Sequence, residues 1–442
     1  MTGTASLCVS ECNWDPPRES ATPRLAPQAL WNILLFMPTD RRTFLAAAAA
    51  APLRAAQVDW SQVRARFPWA EKQLFMNPSG WHPMPVASVK AMHRYLEFKL
   101  NGPGEGRGEF AAGNQETARG LFARLVNASP DEISFIPSTL TGENLVVAGL
   151  GIPGGKWNVV IDELHYEGSI YMYRTLQKDH GLDLRIVKHR DGRVPIAGYE
   201  KVIDKNTRLV ACSLVSYQNG YRADVPSIAK LAHAAGAYVY CDVIQSAGAV
   251  PIDVKQLDLD FCACSGYKWL MGDRGLGYLY VRRSLHGKVM RRTQFGDRQF
   301  DDFQYHLFPH DPPGPSPASW KVKSGAGSFY EVGNIANVVA AGHAESLKLI
   351  HEIGVDRIRE HAVPLVEKLR TELPKRGYPC LTPLDAPTPI SAFVVAKPDA
   401  LRARLRKANV DVKVQWNQMR ASVSVYHTAA DIDRFLEAVG RG

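Results

Sequence analysis

From Val58 onward the chain alternates short apolar runs with amphipathic stretches, and this pattern constrains its fold more than any other feature. The apolar runs are rich in Val, Ile, Tyr and Cys without strict polar alternation, which is typical of strands that are buried on both faces of a sheet. Seven such strands are predicted, at residues 133–136, 158–162, 184–187, 208–214, 237–242, 260–265 and 276–281. Helices are predicted between them, at residues 115–126, 168–178 and 225–235. The pattern therefore predicts an α/β domain with a mostly parallel seven-stranded sheet.

The pattern changes after residues 309–317, which hold five prolines and a glycine and predict an irregular loop. Beyond this loop, helices and strands predict a smaller α+β unit, with helices at 335–351, 399–408 and after Ala430, and strands at 390–396, 410–414 and 420–425. We therefore divide the chain into an N-terminal extension, a large domain and a small C-terminal domain, at 1–57, 58–320 and 321–442. Residues 58–75 are predicted to pack on the small domain.

Composition excludes several classes of protein. No apolar run approaches the roughly 20 residues that a membrane-spanning helix needs, so no membrane insertion is predicted. The formal net charge of +9 is spread along the chain, and solubility or an anionic small molecule accounts for it as well as nucleic acid does, so no nucleic-acid partner is predicted. Seven cysteines are an odd number without metal-ligand spacing, so neither a disulfide framework nor a metal site is predicted.

The first 57 residues contain a candidate export signal. Arg41 and Arg42 are followed by a Phe-Leu pair and an alanine run, and this segment resembles a twin-arginine signal that starts at Met37. This interpretation makes residues 1–36 an upstream extension and predicts export to the periplasm. The alternative is an Ala-rich helical arm on a cytoplasmic protein.

The residues that carry chemistry follow two successive predicted strands. One strand ends in Asp242, with Gln245 three residues later, and the next ends in Ser265, with Lys268 three residues later. Because open α/β sheets bind ligands at the carboxyl ends of their strands, we expect these side chains to meet at one edge. A buried carboxylate facing a lysine there fits a site for a pyridine ring. The lysine forms a Schiff base with an aldehyde, and the carboxylate keeps the ring nitrogen protonated.

Each of these residues also has an ordinary structural explanation. Asp242 could cap a helix, Ser265 could be a turn residue, and Lys268 could be a solvated surface lysine. Because the three occur in this order at successive strand ends, we interpret them together as one site.

With these residues the chain resembles the class V aminotransferase family of fold-type I pyridoxal-phosphate enzymes, which includes cysteine desulfurases, selenocysteine lyases, kynureninases and isopenicillin-N epimerases. The resemblance extends over about residues 74–434. It implies the PLP-dependent transferase fold, pyridoxal 5′-phosphate as cofactor and an amino acid as substrate. It also implies a role for each residue of the motif, with Lys268 as the catalytic lysine, Asp242 on the ring nitrogen, Gln245 on the phenolic oxygen, and Ser265 and Tyr267 on the phosphate.

Two upstream segments resemble further parts of the family's cofactor site. Residues 138–144 follow a strand and open an apolar helix, and a helix N-terminus binds phosphate through its free amides. Leu140 and Thr141 are the candidates there, and Thr141 could also be a plain N-terminal cap. After the next strand the family stacks an aromatic side chain on the cofactor ring, for which we favour Tyr166, with His165 second.

Four positions extend the resemblance to the substrate and to a second subunit. Arg420 begins a segment that resembles the family's C-terminal signature, where an arginine binds the substrate α-carboxylate; a structural salt bridge is its alternative. Asn77 belongs to a substrate-side loop. Tyr217 stands where many relatives have an asparagine, and Gln218 or Asn219 could make that contact instead. Asn334 replaces a threonine by which a neighbouring subunit touches the phosphate, which implies a homodimer.

The reaction is predicted to be of lyase or epimerase type, with transamination or a catalytically degenerate binding protein as alternatives. A persulfide-forming desulfurase uses a mobile cysteine shortly before the carboxylate arginine. There is no cysteine between Ser391 and Arg420, and Cys380 lies earlier, at a predicted hairpin end. We therefore predict that the chain is not a persulfide-forming cysteine desulfurase.

Overall fold

A computed structural model describes residues 58–101, 107–304 and 319–442. The strands within these residues are β1 Leu74–Phe75, β2 Ile133–Ile136, β3 Asn158–Asp162, β4 Asp183–Val187, β5 Thr207–Ser213, β6 Tyr238–Asp242, β7 Phe261–Ser265, β8 Gly277–Val281, β9 Phe300–Gln304, β10 Ser319–Val322, β11 Ile390–Val394, β12 Val410–Asp411, β13 Lys413–Gln415 and β14 Gln418–Ser422.

Seven of the strands form one central sheet in the order β2-β8-β7-β6-β5-β3-β4. Neighbouring strands are parallel, except that β8 runs antiparallel to both β2 and β7. The predicted α/β fold with a mostly parallel seven-stranded sheet is confirmed, and each predicted strand ends within one residue of the observed one. Since β6 and β7 are adjacent and parallel, Asp242 and Ser265 end at the same edge of the sheet.

The helices surround this sheet and continue into the C-terminal part. They are α1 Trp60–Ala65, α2 Trp69–Lys72, α3 Val86–Leu100, α4 Arg107–Leu125, α5 Thr139–Gly149, α6 Glu167–His180, α7 Ile196–Glu200, α8 Val225–Ala234, α9 Gly327–Tyr330, α10 Asn337–Ile353, α11 Val355–Glu372, α12 Pro398–Lys407 and α13 Ala429–Val439. Within the described residues, none is long and apolar enough to cross a bilayer.

Both faces of the central sheet are buried. Cys241 and Cys262 belong to the core on one face, and their neighbours Tyr240 and Ala263 belong to the core on the other. Successive side chains of a strand point to opposite faces, so a sheet covered twice needs apolar residues at every position. This explains the lack of strict polar alternation in the sequence.

The C-terminal residues form a second, antiparallel sheet in the order β11-β14-β13 with its own core. Leu74 and Met76 belong to that core, and β1 pairs in parallel with β12. Nη1 of Arg64 in α1 lies 2.6 Å from a carboxylate oxygen of Asp431 in α13. The beginning of the described chain is thus packed on its C-terminal part. The predicted domain boundary at residues 320/321 stays a prediction, and both the N-terminal extension and the predicted loop at 309–317 lie outside the described residues.

Candidate active site

Lys268 lies in the tight connection between β7 and β8 and is only 8% exposed. This connection packs on His343 of α10 through Gly266 and Gly272. A Cβ at Gly266 would lie 1.6 Å from the His343 ring, and one at Gly272 would lie 2.0 Å from it. Only glycine fits at both positions. The close packing of this connection on His343 fixes the backbone that carries Lys268.

The charge of Lys268 is balanced between opposing neighbours. Burial lowers the pKa of Lys268 to about 8, Arg420 acts in the same direction, and Asp242 opposes both. Burial raises the pKa of Asp242 to about 6, although the amide of Ile244, 2.9 Å away, and the charges of His165 and Lys268 oppose the rise. At neutral pH, Asp242 is therefore an anion in a buried setting, and Lys268 is easier to deprotonate than a surface lysine.

A buried cluster of four polar residues, Glu143, His165, Ser169 and Ser213, influences the ionisation of Asp242. Nδ1 of His165 lies 2.9 Å from Oγ of Ser213, and Nε2 lies 3.1 Å from Oε1 of Glu143. Ser169 donates to the second oxygen of Glu143 at 2.5 Å. Burial alone would lower the pKa of His165, but Glu143, followed by Asp162 and Asp242, raises it to about 9. His165 is thus an imidazolium whose charge favours the ionised form of Asp242.

The side chain of Gln245 connects the loop after β1 to the segment after β7. Its Nε2 donates to the backbone oxygen of Ser79 at 3.0 Å, and its Oε1 accepts from the Trp269 indole at 3.0 Å. The amide of Ser79 in turn donates to Oγ of Ser422 in β14 at 3.1 Å. Gln245 therefore fixes the loop after β1, and its predicted contact with the cofactor's phenolic oxygen stays a prediction.

The N-terminus of α5 lies against the end of β7. Oγ of Ser265 accepts from the amide of Thr139 at 2.8 Å, and Oγ1 of Thr139 accepts from the amide of Ser265 at 2.9 Å. Ser138 caps the helix by accepting from the amide of Thr141 at 3.1 Å. The amide of Leu140 has no acceptor within the described residues, so it is available to an anion at this helix end. The predicted phosphate roles of Leu140, Thr141 and Ser265 stay predictions.

Three tyrosines border the site. The rings of Tyr166 and Tyr217 meet edge-to-face with centroids 5.5 Å apart, and the ring centroid of Tyr267 lies 5.7 Å from Nζ of Lys268. Tyr166 is 36% exposed, whereas the neighbouring His165 is fully buried with both ring nitrogens engaged. The geometry therefore favours Tyr166 over His165 as the ring that stacks on a ligand.

Arg420 and Asn77 both carry a buried polar atom without a hydrogen-bond partner among the described residues, Nε and Oδ1 respectively. Nη1 of Arg420 donates to the backbone oxygen of Tyr217 at 2.7 Å, which orients the guanidinium. Burial lowers the pKa of Arg420 to about 10, so it stays charged at neutral pH. An unsatisfied buried donor is costly, and a carboxylate bound here would remove that cost.

Asn334 is exposed on the loop between α9 and α10. It borders a cavity of about 280 Å³ that Thr141 and Gly275 of the same chain also line. Its predicted contact with the phosphate of a second subunit stays a prediction.

Sequence reasoning missed two charged residues of the site, Lys413 and Glu143. Lys413 lies directly opposite Arg420 in the β13–β14 pair, and Glu143 lies one turn inside α5. Glu143 could have been suspected as the single carboxylate in an apolar helix. Lys413 gives no signal in the sequence, because only strand pairing brings it to Arg420.

The donor set fits pyridoxal phosphate. Lys268 supplies a buried amine for the aldehyde, Asp242 a buried carboxylate for the ring nitrogen, and the Leu140 amide a free donor for phosphate. The unsatisfied Nε of Arg420 supplies a donor for the substrate. No group of three or more potential metal ligands occurs within the described ranges.

Comparison with known proteins supports the same cofactor. Residues 83–435 match the model of the family "Aminotransferase class-V". A probable cysteine desulfurase of Methanothermobacter thermautotrophicus is 30% identical over 313 residues, covering 70% of this chain and 74% of that protein.

Two solved structures share the fold. The apo cysteine desulfurase of Thermococcus onnurineus NA1 superposes with a TM-score of 0.75 at 24% identity, covering 87% of this chain and 97% of that one. The cystine C-S lyase C-DES, solved with its product cysteine persulfide, gives a TM-score of 0.74 at 19% identity, covering 84% and 98%.

These comparisons correct one prediction. The exclusion of cysteine desulfurase activity is wrong, because the relatives and structural neighbours include cysteine desulfurases. The exclusion relied on the absence of a cysteine between Ser391 and Arg420. A cysteine there decides only where a sulfur acceptor lies, whereas the residue predicted to be catalytic is Lys268. A missing cysteine at one position therefore does not exclude the chemistry.

Proposed function

Because this chain belongs to the class V aminotransferase family and has pyridoxal phosphate as its cofactor, we propose that it cleaves the Cβ–sulfur bond of a sulfur-containing amino acid. The observation that carries this proposal is the buried amine of Lys268, whose pKa is lowered by the charge of Arg420 and raised by the charge of Asp242. In one buried site, Arg420 can bind the α-carboxylate of an amino acid and Lys268 can remove its α-proton, while Asp242 supplies a negative charge.

The cofactor supplies an electron sink for the pair released at the substrate Cα. The residues of the chain hold and deprotonate the substrate. Arg420 binds the α-carboxylate with its free Nε and one further N–H, and Asn77 Oδ1 accepts a hydrogen bond from the substrate. Lys268 Nζ removes the proton from Cα, and its low exposure excludes water from that atom. Asp242 would keep the ring nitrogen of the bound cofactor protonated as its carboxylate partner.

Two observations favour bond cleavage over epimerisation. The similar proteins are named as a cysteine desulfurase and a cystine C-S lyase. Epimerisation also needs a second proton carrier opposite Lys268, and on the turn that bears Tyr166 the imidazole of His165 has both nitrogens engaged.

The test is turnover of an amino-acid panel by the cofactor-loaded protein. Cysteine should yield either alanine, with its sulfur transferred to a thiolate as a persulfide that added thiol reduces to sulfide, or pyruvate, ammonia and sulfide. Cystine should yield pyruvate, ammonia and cysteine persulfide. Lys268→Ala should lower the rate by about a thousandfold or more, whereas the exposed Lys255→Ala should match the unsubstituted protein. Production of D-isomers or keto acids from amino acids without sulfur, and none of these sulfur products, would contradict the proposal. Alkylation followed by mass spectrometry would show whether any of the seven cysteines carries the released sulfur.

We also propose that the active unit is a homodimer. It is supported by the resemblance of residues 328–334 to a subunit-contact segment and by the exposure of Asn334. Sedimentation velocity of the uncleaved 442-residue chain should give twice its mass of 48.9 kDa, and Asn334→Ala should weaken pyridoxal-phosphate binding several-fold. A monomer that is fully active at nanomolar concentration would contradict this proposal.

We further propose that the chain is exported through a twin-arginine signal beginning at Met37. The motif at Arg41 and Arg42 supports it. Replacing both arginines by lysine should keep the protein in the cytoplasm, and mass spectrometry of the mature N-terminus should show cleavage near residue 57. A protein recovered from the cytoplasm with its N-terminus intact would contradict export.

A further inference from the structure

Lys413 and Arg420 form a cross-strand pair of like charges. They are direct partners in the antiparallel β13–β14 ladder, so their side chains lie on the same face. Two cations in this position repel each other, and the pKa of Lys413 is lowered by burial and by the charge of Arg420. A repulsive pair at the edge of a site persists when an anion bridges or screens it.

The ammonium of Lys413 has no hydrogen-bond or ion-pair partner in the part of the chain that the structure describes. Its Nζ lies 6.0 Å from the ring centroid of Tyr217, at the outer limit of a cation–π contact. Glu167 is the anion that favours the charged form of Lys413, but its carboxylate accepts from the Tyr217 hydroxyl at 3.2 Å and forms no ion pair with Lys413. Lys413 is half-buried, so its charge is only partly hydrated.

Three cations lie in the site, and the proposed reaction assigns a role to two of them but not to Lys413. Lys268, Lys413 and Arg420 are close enough that each of the other two lowers the pKa of Lys268. Of these cations, Lys268 holds the cofactor and Arg420 holds the substrate α-carboxylate. The surplus positive charge lies beside Arg420 and near the Tyr217 ring.

We propose that Lys413 binds a second anionic group at the end of the substrate side chain, so that the enzyme selects amino acids with an acidic side chain. This inference rests on the proposed function, because it takes Arg420 as the receptor for the α-carboxylate. The recognised chemistry is an anionic end on a sulfur-containing side chain, either the distal carboxylate of cystine or an oxidised sulfur anion such as a sulfinate. Arg420 and Lys413 then hold the two anionic ends of one molecule.

The test measures, by calorimetry, how tightly unreactive substrate analogues bind to the cofactor-loaded protein. Butyrate carries one carboxylate, whereas succinate and 3-sulfinopropanoate carry a second anionic group at a similar distance. The unsubstituted protein should bind succinate or the sulfinate about tenfold more tightly than butyrate, since a charge-assisted contact is added. Comparison of the two dianions shows which anion is preferred.

Lys413→Met should abolish this preference and leave butyrate binding unchanged, which also reports an intact Arg420. Lys413→Arg should keep most of the preference, and Lys407→Met, an exposed lysine of α12, should behave as the unsubstituted protein. The inference is overturned if the unsubstituted protein shows no preference for dianions, or if both Lys413→Met and Lys413→Gln retain it. Absence of sulfur-amino-acid turnover would defeat the proposed function alone, because the binding preference is measured without a reaction.

Discussion

Lys268 shows how burial changes the chemistry of a single residue. An exposed lysine is almost fully protonated at neutral pH, but burial and the charge of Arg420 lower the pKa of Lys268 to about 8. The neutral amine, which attacks an aldehyde, is then a substantial fraction near physiological pH. The neighbouring Asp242 stays ionised because its pKa, about 6, lies below neutral pH.

The rate of cofactor uptake should follow this titration. Mixing cofactor-free protein with pyridoxal phosphate should give a rate that rises about tenfold per pH unit below pH 8 and levels off above it, because only the neutral amine reacts. Stopped-flow absorbance measures the rate. Arg420→Met should move the midpoint to higher pH by removing a like charge, whereas the exposed Arg406→Met should leave it unchanged. A midpoint near 10.5 in the unsubstituted protein would contradict the argument.

The Glu143–His165 pair predicts a pH-dependent stability. The pKa of His165 is raised to about 9, so its contribution is complete below pH 6.5 and is lost as pH rises toward 9. Glu143→Gln should therefore destabilise the protein by about 1–3 kcal/mol at pH 6, because Asp162 and Asp242 still favour the imidazolium, and by much less at pH 9. Urea unfolding at both pH values measures this, with the exposed Glu97→Gln as control. An equal loss at both pH values would show that the pair is not charged.

At the scale of elements, the helix α4 is tied to the loop after α9 by one buried ion pair. Nη1 of Arg119 lies 2.8 Å from Oε1 of Glu331, whose side chain is 4% exposed. The same oxygen accepts from the amide of Phe135 in β2 at 2.9 Å. The carboxylate thus joins a helix, a strand and the segment that leads to Asn334.

Removing only one partner of this ion pair should lower the stability of the protein substantially. Arg119→Met leaves a buried carboxylate without its main partner and should lower the free energy of unfolding by about 3–5 kcal/mol. Glu116→Gln removes the exposed pair with the same arginine, at 3.3 Å, and should cost less than about 0.5 kcal/mol. Denaturant unfolding compares the two. A loss below about 1 kcal/mol for Arg119→Met would mean that Arg298, 3.1 Å from Glu331, replaces it.

At the scale of the whole molecule, the site lies where two sheets meet. Asp242 and Lys268 come from the central sheet, and Arg420 comes from the C-terminal sheet. The loop at Ser79 connects them, because its backbone oxygen accepts from Gln245 and its amide donates to Ser422. The distance between Lys268 and Arg420 therefore depends on this loop.

Loosening the loop should weaken substrate binding and spare the cofactor. Ser422→Ala removes the hydroxyl that accepts from the Ser79 amide and that lies 2.9 Å from the Ser79 hydroxyl. One lost hydrogen bond of this kind is worth about 1 kcal/mol, so the dissociation constant for butyrate should rise about fivefold. The affinity for pyridoxal phosphate should not change, and the exposed Ser284→Ala should change neither. Equal losses of both affinities would argue that Ser422 supports the fold as a whole.

Helices and strands that agree with the local sequence pattern were predictable. A helix whose sequence contains a helix-breaking residue was not. The central strands are continuous apolar runs, so their positions agree within one residue. The helix α11 was not predicted, and it contains Pro364, which lacks an amide hydrogen and normally ends a helix. Its buried face, which includes Ile358 and Val366, stabilises it through tertiary contacts.

The sequence by itself determined the strand order along the chain and the placement of Asp242 and Lys268 at strand ends, because periodicity and motif spacing are local properties. Only the tertiary structure decided that Lys413 faces Arg420 and that His165 turns inward while Tyr166 borders the site. These contacts depend on strand register and on packing between distant segments, which no local pattern encodes.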